Sequence, residues 1–210
     1  MKVLVVAEHN NAELFPATLH TVNAANQIGS SDLLVIGSKC ENVVKSSINI
    51  NGINKVLCCD NDIYKNQLAE NASTLIKSIA EEYTHIFFAN TANGKNIAPR
   101  VAALLDVMIV PDIIEIIDHQ TFKRPIYAGN AIATCESNDT FKVVTVRTTA
   151  FEKADFSDQE VEVTNLEADS SSELSKYINS ELSKSERPEL TAADIVVSGG
   201  RGLGSSENFK

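Results

Sequence analysis

A short apolar run, Val3-Leu4-Val5-Val6-Ala7, opens the chain directly after Met1 and Lys2. A strand without polar positions has no face to give to water, so both of its sides must be covered, as in a parallel sheet flanked by helices. Runs of the same kind return at Leu33 to Gly37, Val56 to Cys59 and His85 to Ala89. Helical spacing fills the gaps between them. Pro16 suits the first turn of a helix running to Ile28, with Gly29 as its stop. A short helix is expected over Val43 to Ile48. Leu68, Ala72, Leu75, Ile76 and Ile79 make one apolar stripe along a helix over Asn66 to Tyr83. Asn96 is the candidate cap of the next helix, which carries Val101, Leu104 and Leu105. This alternation predicts a mostly parallel open sheet with helices on both faces.

The pattern changes after Met108. Pro111, Asp112 and the run Ile113-Ile114-Glu115-Ile116-Ile117 read as strand, and Thr121 to Asn130 as a loop or hairpin carrying Lys123 and Arg124. Ala131 to Cys135 and Phe141 to Arg147 read as two further strands with a turn at Asn138-Asp139 between them, so antiparallel additions to the sheet are expected. Val161 and Val163 alternate with Glu160 and Glu162, which suits an edge strand. Ser170 to Ser172 is placed to start a helix running to Leu182. Ser183 to Leu190 has the polar, proline-containing make-up of a linker. Beyond it come a strand, Asp194 to Val197, a glycine-rich loop, Ser198 to Gly204, and a cap at Ser205 or Ser206 for a helix beginning at Glu207. The expected organisation is an α/β domain over 1–187, then a linker and the opening of a second domain over 188–210.

Charge excludes some partners. The chain of 210 residues carries a net charge of −10, and Phe151 to Leu190 holds eleven acidic against four basic residues. Nucleic acid is therefore not expected as the main partner. No apolar run approaches the roughly 18 residues of a membrane-spanning helix. The first strand begins at once, so a cytoplasmic, bacterial-type chain without a targeting peptide is expected. Cys40, Cys58, Cys59 and Cys135 contain no Cys-x-x-Cys pair and read as small buried hydrophobes, with Cys58 and Cys59 pointing to opposite faces of one strand. His9, His20, His85 and His119 are scattered, with none at metal-ligand spacing, so no metal is expected. Neither a nucleophile elbow nor a Walker lysine motif is present, so no catalytic residues are assigned, and a carrier or scaffold fits better than a hydrolase.

Three places offer chemistry. The loops after the first and fourth strands, Glu8 to Asn11 and Asn90 to Lys95, lie where open α/β sheets take ligands, and a nucleotide there is one reading. Lys95 and Arg100, near the start of a helix, stand ready for an anion or a partner's carboxylate, or simply face water. Ser198 to Gly204 offers backbone N–H groups to a phosphate with Arg201 adding charge. Its G-x-G-x-G spacing fits a plain flexible turn equally well.

Several blocks in one order resemble the alpha subunit of electron transfer flavoproteins. They include Val5-Val6-Ala7-Glu8-His9, Gly94-Lys95-Asn96 with Pro99 to Asp106, Arg124 to Ala131, Thr145 to Phe151, Val197 to Leu203 and Glu207 to Lys210. The resemblance implies a three-layer, open, mostly parallel α/β sheet, adenine-nucleotide-alpha-hydrolase-like or Rossmann-like, with additional antiparallel strands. It also implies a heterodimeric FAD-containing electron carrier and not an enzyme in its own right. In fatty acid beta-oxidation, such a carrier takes electrons from acyl-CoA and related dehydrogenases and passes them to a membrane quinone oxidoreductase. This region would dock the beta subunit, which holds the family's AMP. Gly200, Arg201 and Gly202 match the cofactor-binding positions, although Gly204 and Ser206 replace the family's lysine and glycine. FAD is expected in the full-length heterodimer and not on this stretch alone. Arg124 and Arg147 are expected to form bidentate carboxylate pairs in the fold or at the subunit interface. A stand-alone scaffold subunit is the remaining alternative.

Overall fold

The computed structural model describes residues 1–168, 171–181 and 195–209. Two compact units are present, Met1–Tyr177 and Ile178–Lys210.

The first unit is built on seven parallel strands in the order β10-β3-β2-β1-β4-β9-β5. They are β1 (Lys2–Val6), β2 (Ser30–Gly37), β3 (Ile53–Asp60), β4 (His85–Ala89), β5 (Ile109–Ile113), β9 (Lys142–Val146) and β10 (Glu162–Asn165). Four helices cover them: α1 (Pro16–Asn26), α2 (Glu41–Ser47), α3 (Ala69–Ile79) and α4 (Ala92–Leu104). Strand alternation splits the core in two. Val3, Val5, Leu33, Val35, Phe87 and Val144 face α1 and α2, with Val22, Ala25 and Val43 packed on them. Leu4, Val6, Leu34, Ile36, Ile86 and Phe88 face α3 and α4, with Leu75, Ile76, Ala98 and Val101 packed on them. Cys58 joins the first layer and Cys59 the second, on opposite faces of β3 as their adjacency requires. Cys40, Cys58 and Cys59 are buried, while Cys135 is only half-buried.

A three-stranded antiparallel ribbon, β6 (Glu115–Ile116), β7 (Thr121–Ile126) and β8 (Ala131–Glu136), stands between β5 and β9 in the chain. Here the expectation from spacing needs correcting. The strands after Asn130 do not form one hairpin around Asn138-Asp139. β8 pairs with β7, whereas β9 runs parallel to both β4 and β5 and lies between them. The burial explains the split. β8 alternates between half-buried and exposed, as a one-faced ribbon must, while Val143 to Val146 are buried throughout.

Other boundaries shift for local reasons. The helix cap before α4 is Thr91, whose hydroxyl accepts from the Gly94 amide at 3.2 Å, and Asn96 lies exposed inside the helix. Asn66 to Leu68 stay outside α3 because Gln67 turns left-handed, with φ 48°. The edge strand near Val163 is present as β10, beside β3. No helix forms among residues 171–181. Within the first unit, Ser172 and Ser175 are tied to α3 by the Ser172 amide on Asn71 Oδ1 and by Ser175 Oγ donating to Glu70. Ser170, Leu182 and the linker Ser183 to Leu190 lie outside the described residues.

In the second unit, Asp194 lies outside the described residues, and Ile195 to Val197 are exposed and form no strand. Single 3-10 turns cover Arg201–Leu203 and Ser206–Asn208, the second begun by Ser205. Among the described residues no helix is long and apolar enough to cross a membrane.

Candidate functional site

β1 leads outward to β2 and β3, and the chain then crosses back to β4 on β1's other side. The switch point of the sheet is therefore the crevice at the carboxyl ends of β1 and β4, the usual ligand position in such folds. Glu8 to Asn11 and Asn90 to Thr91 do converge there, as their sequence positions predict. The protein's own side chains fill the space. Thr91 Oγ1 donates to Glu8 Oε2 at 2.5 Å. Gln67 Nε2 donates to the His9 carbonyl at 3.0 Å, and Asn93 Nδ2 reaches Gln67 Oε1 at 3.5 Å. Asn11 Nδ2 donates to the Lys65 carbonyl at 2.9 Å, and Asn11 Oδ1 accepts from the Ser38 amide at 3.2 Å. The cavity left between Gln67, Asn93 and Ile97 is about 20 Å³. That is room for a water, whereas small-molecule pockets run to about 300–1,000 Å³. Gln67 is the residue sequence reading missed, and its left-handed backbone is what swings it into the crevice.

Burial sets the charges of this cluster. His9 Nδ1 accepts from the Asn11 amide at 3.0 Å, and desolvation pushes the imidazole down to about 4, partly offset by a hydrogen bond with the Ile36 backbone. Desolvation raises the Glu8 carboxyl, opposed by the Thr91 hydroxyl. His85, at the amino end of β4, is fully buried and donates from Nε2 to the His119 carbonyl at 2.5 Å. Burial pushes it down to about 4 as well. An imidazole depressed in the fold binds its proton more readily when unfolded. Stability from His9 and His85 is therefore complete above about pH 6.5 and is lost as pH falls towards 4. Each is worth on the order of 3 kcal/mol over that window. Glu8 has the opposite sign, since its raised carboxyl favours the fold at low pH and loses that contribution as pH rises. Urea midpoints measured from pH 7 to pH 4 are expected to fall steeply, and His85→Gln is expected to flatten the slope by about half.

At the carboxyl ends of β4, β9 and β5 a second polar cluster is complete. Arg147 grips Asp112 with Nε donating to Oδ1 at 3.0 Å and Nη2 donating to Oδ2. Asn90 Nδ2 donates to Asp112 Oδ1 at 2.5 Å, Thr145 Oγ1 donates to Asn90 Oδ1 at 2.9 Å and the Asp112 amide donates to Thr145 Oγ1 at 2.8 Å. Asp112 holds φ 62°, which aspartate tolerates better than most residues. The bidentate pair expected of Arg147 is thus present within the fold. Arg124 forms none. Its Nε is buried without a hydrogen-bond partner among the described residues. Of the two helix cations, Arg100 Nη2 meets Glu70 Oε1 at 3.0 Å, whereas Lys95 is exposed without a partner among the described residues.

The glycine-rich loop belongs to the second unit. The amides of Gly200, Arg201 and Gly202 have no backbone partner among the described residues, and the Arg201 side chain is exposed. A Cβ at Gly200 or Gly202 would meet nothing within 4 Å, so both faces of the turn are open, whereas one at Gly199 would strike the Phe209 ring at 2.6 Å. Free amides beside a guanidinium suit a phosphate or pyrophosphate group.

Comparison with known proteins adds a second line of observation. The family model described as electron transfer flavoprotein domain matches residues 3–171. Electron transfer flavoprotein subunit alpha of Pseudomonas aeruginosa is 48% identical over 211 residues, an alignment covering 100% of this chain and 68% of the relative. The mitochondrial alpha subunit of Dictyostelium discoideum is 45% identical over 224 residues, covering 99% and 63%. The alpha subunit of Paracoccus denitrificans is 42% identical over 210 residues, covering 100% and 68%. The chain spans about two-thirds of the length of these curated relatives.

Proposed function

The chain belongs to the electron transfer flavoprotein family, on the alpha-subunit side, and from that premise we infer that its α/β unit is the part of the carrier that docks the beta subunit. The family carries electrons and does not catalyse a reaction of its own. The observation that carries the docking reading is the filled switch point. With about 20 Å³ free beside Gln67, Asn93 and Ile97, that crevice gives a nucleotide no seat, and the docking reading rests on the unit's surface. The hydrogen bonds that already hold Glu8, His9 and Thr91 speak against a nucleotide seated between those three residues.

In the whole protein, FAD supplies the redox chemistry when bound. This chain's part is the Ser198 to Gly204 loop, whose open turn supports assigning Gly200, Arg201 and Gly202 to the cofactor's phosphate end. Their amides would hold phosphate oxygens and the Arg201 guanidinium would offset negative charge. The division at the end of the α/β unit supports reading the later residues as the start of a cofactor domain. Electrons would arrive from acyl-CoA and related dehydrogenases and leave to a membrane quinone oxidoreductase, as the resemblance implies. Co-expression of the 210-residue chain with an electron transfer flavoprotein beta subunit tests the docking. A 1:1 complex on size exclusion is expected, and separate elution of the two chains would overturn it.

A further inference from the structure

Cys40 and Cys58 are well separated in the sequence and meet in the fold. Cys40 stands at the turn from β2 into α2, and Cys58 lies near the end of β3. Side chains alternate along a strand, so Cys58 and Asp60 share one face of β3 and Cys59 takes the other. The Asp60 carboxylate reaches from that face to the turn. It accepts from the Lys39 amide at 2.7 Å and from the Cys40 amide at 2.9 Å, and Cys40 Sγ comes within 3.5 Å of Asp60 Oδ2. This clamp holds the Cys40 sulfur beside Cys58, and the two thiols share a hydrogen bond. Both belong to the apolar layer under α1 and α2, with Cys40 fully buried and Cys58 7% exposed. Their contact divides their acidity. The bond from Cys40 lowers the Cys58 thiol from its ordinary value, whereas Cys40 is raised by that same bond, by burial and by the neighbouring charges of Cys58 and Asp60.

We propose that Cys40 and Cys58 are a redox-active thiol pair, which a hydroperoxide oxidises to a disulfide. The chemistry takes two steps. The Cys58 sulfur attacks one peroxide oxygen, the O–O bond breaks, and Cys58 becomes a sulfenic acid while the other oxygen leaves as water or, from an organic hydroperoxide, as an alcohol. The Cys40 sulfur then attacks the Cys58 sulfur, the S–O bond breaks, and the hydroxyl departs with the Cys40 proton as water. The two thiols lose two electrons and two protons, and the peroxide takes up both. Geometry assigns the roles. Cys58 is the more accessible and the more acidic thiol, so it meets the oxidant, and Cys40 lies behind it with its proton in reach of Asp60. Burial makes the first step slow, because peroxide enters only when the seven-residue α2 or the four-residue β10 beside β3 opens. Cys59 cannot replace Cys58. It belongs to the opposite layer and burial pushes its thiol up to about 11. The disulfide would join the start of α2 to β3 and close the segment between them into a ring, which restricts the unfolded chain.

The test exposes the 210-residue chain to hydrogen peroxide, alkylates the remaining thiols in denaturant and digests with trypsin without reduction. Cleavage isolates the two partners, Cys40 in Cys40–Lys45 and Cys58 in Val56–Lys65. Mass spectrometry is expected to find these peptides joined and lighter by the two hydrogens lost. Dithiothreitol should separate them, and the oxidised chain should melt several degrees above the reduced one. Cys59→Ser is expected to keep the link and Cys58→Ser to abolish it. Cys40→Ser should stall at the Cys58 sulfenic acid, which dimedone traps, so the proposal stays testable where Cys58→Ser fails to fold. Half-buried Cys135 reports that the oxidant has acted. Oxidation of Cys135 while Cys40 and Cys58 are both recovered as alkylated thiols would overturn the pair, and so would a link to Cys40 that persists through Cys59 in Cys58→Ser.

Discussion

Gly94→Ala is expected to be the most damaging single-methyl change in the molecule. A Cβ at this position would lie 1.9 Å from the Ala89 carbonyl oxygen and 3.1 Å from its carbon. Both atoms are backbone at the end of β4, which β1 and β9 hold on either side, so they cannot step aside. The first turn of α4 would have to lift, breaking the Thr91 cap and its bond to Glu8. Overpacking of this severity costs about 3 kcal/mol or more. For a chain of this size that lowers the melting temperature by roughly 6–12 °C. Gly202→Ala, with nothing within 4 Å of its new methyl group, is the matched control and should melt within about a degree of the parent. Equal melting of the two variants would show that the β4–α4 contact is looser than described.

Phe122→Ala is expected to follow closely, through a different route. Phe122 is fully buried on β7 and belongs to the apolar layer under α1, with Ile113 and Phe151 in the same layer. Among the described residues it is the buried ring by which the ribbon joins the main sheet's core. Its removal costs about 3–5 kcal/mol from lost burial and the cavity left behind. Hydrogen exchange distinguishes the location. Amides of β7 and β8 should lose protection well beyond those of β1 and β4, because the ribbon shares no ladder with the seven-stranded sheet. Uniform loss across both sheets would mean that the ribbon unfolds only with the whole.

Much of this architecture is legible in the residues. Runs such as Val3 to Ala7 and His85 to Ala89 announce doubly covered strands, and α3 shows its stripe openly. What misled was adjacency. Asn138-Asp139 has the composition of a hairpin turn, yet the strands on either side of it enter different sheets. The clue was present in the alternation of β8 against the unbroken burial of β9. The filled switch point was harder to foresee. It depends on Gln67 adopting φ 48° and on Glu8 finding Thr91 across the crevice, and neither is written in a local pattern. Arg147 and Arg124 look alike in sequence, and only the fold shows that one is paired and the other is not.

The position of β9 has a consequence for biosynthesis. β5 pairs with no strand of the sheet except β9, and β4 gains its second neighbour only when β9 arrives. On the ribosome, β4 is therefore complete while its outer edge waits for a strand that ends at Val146. At about 5–20 residues per second the interval from Ala89 to Val146 lasts roughly 3–11 s. During that time Phe87 and Phe88 stand beside an open ladder, the condition in which nascent chains pair with one another. Slower translation across the ribbon would lengthen this exposure, and a chaperone that shields β4 would act during this window.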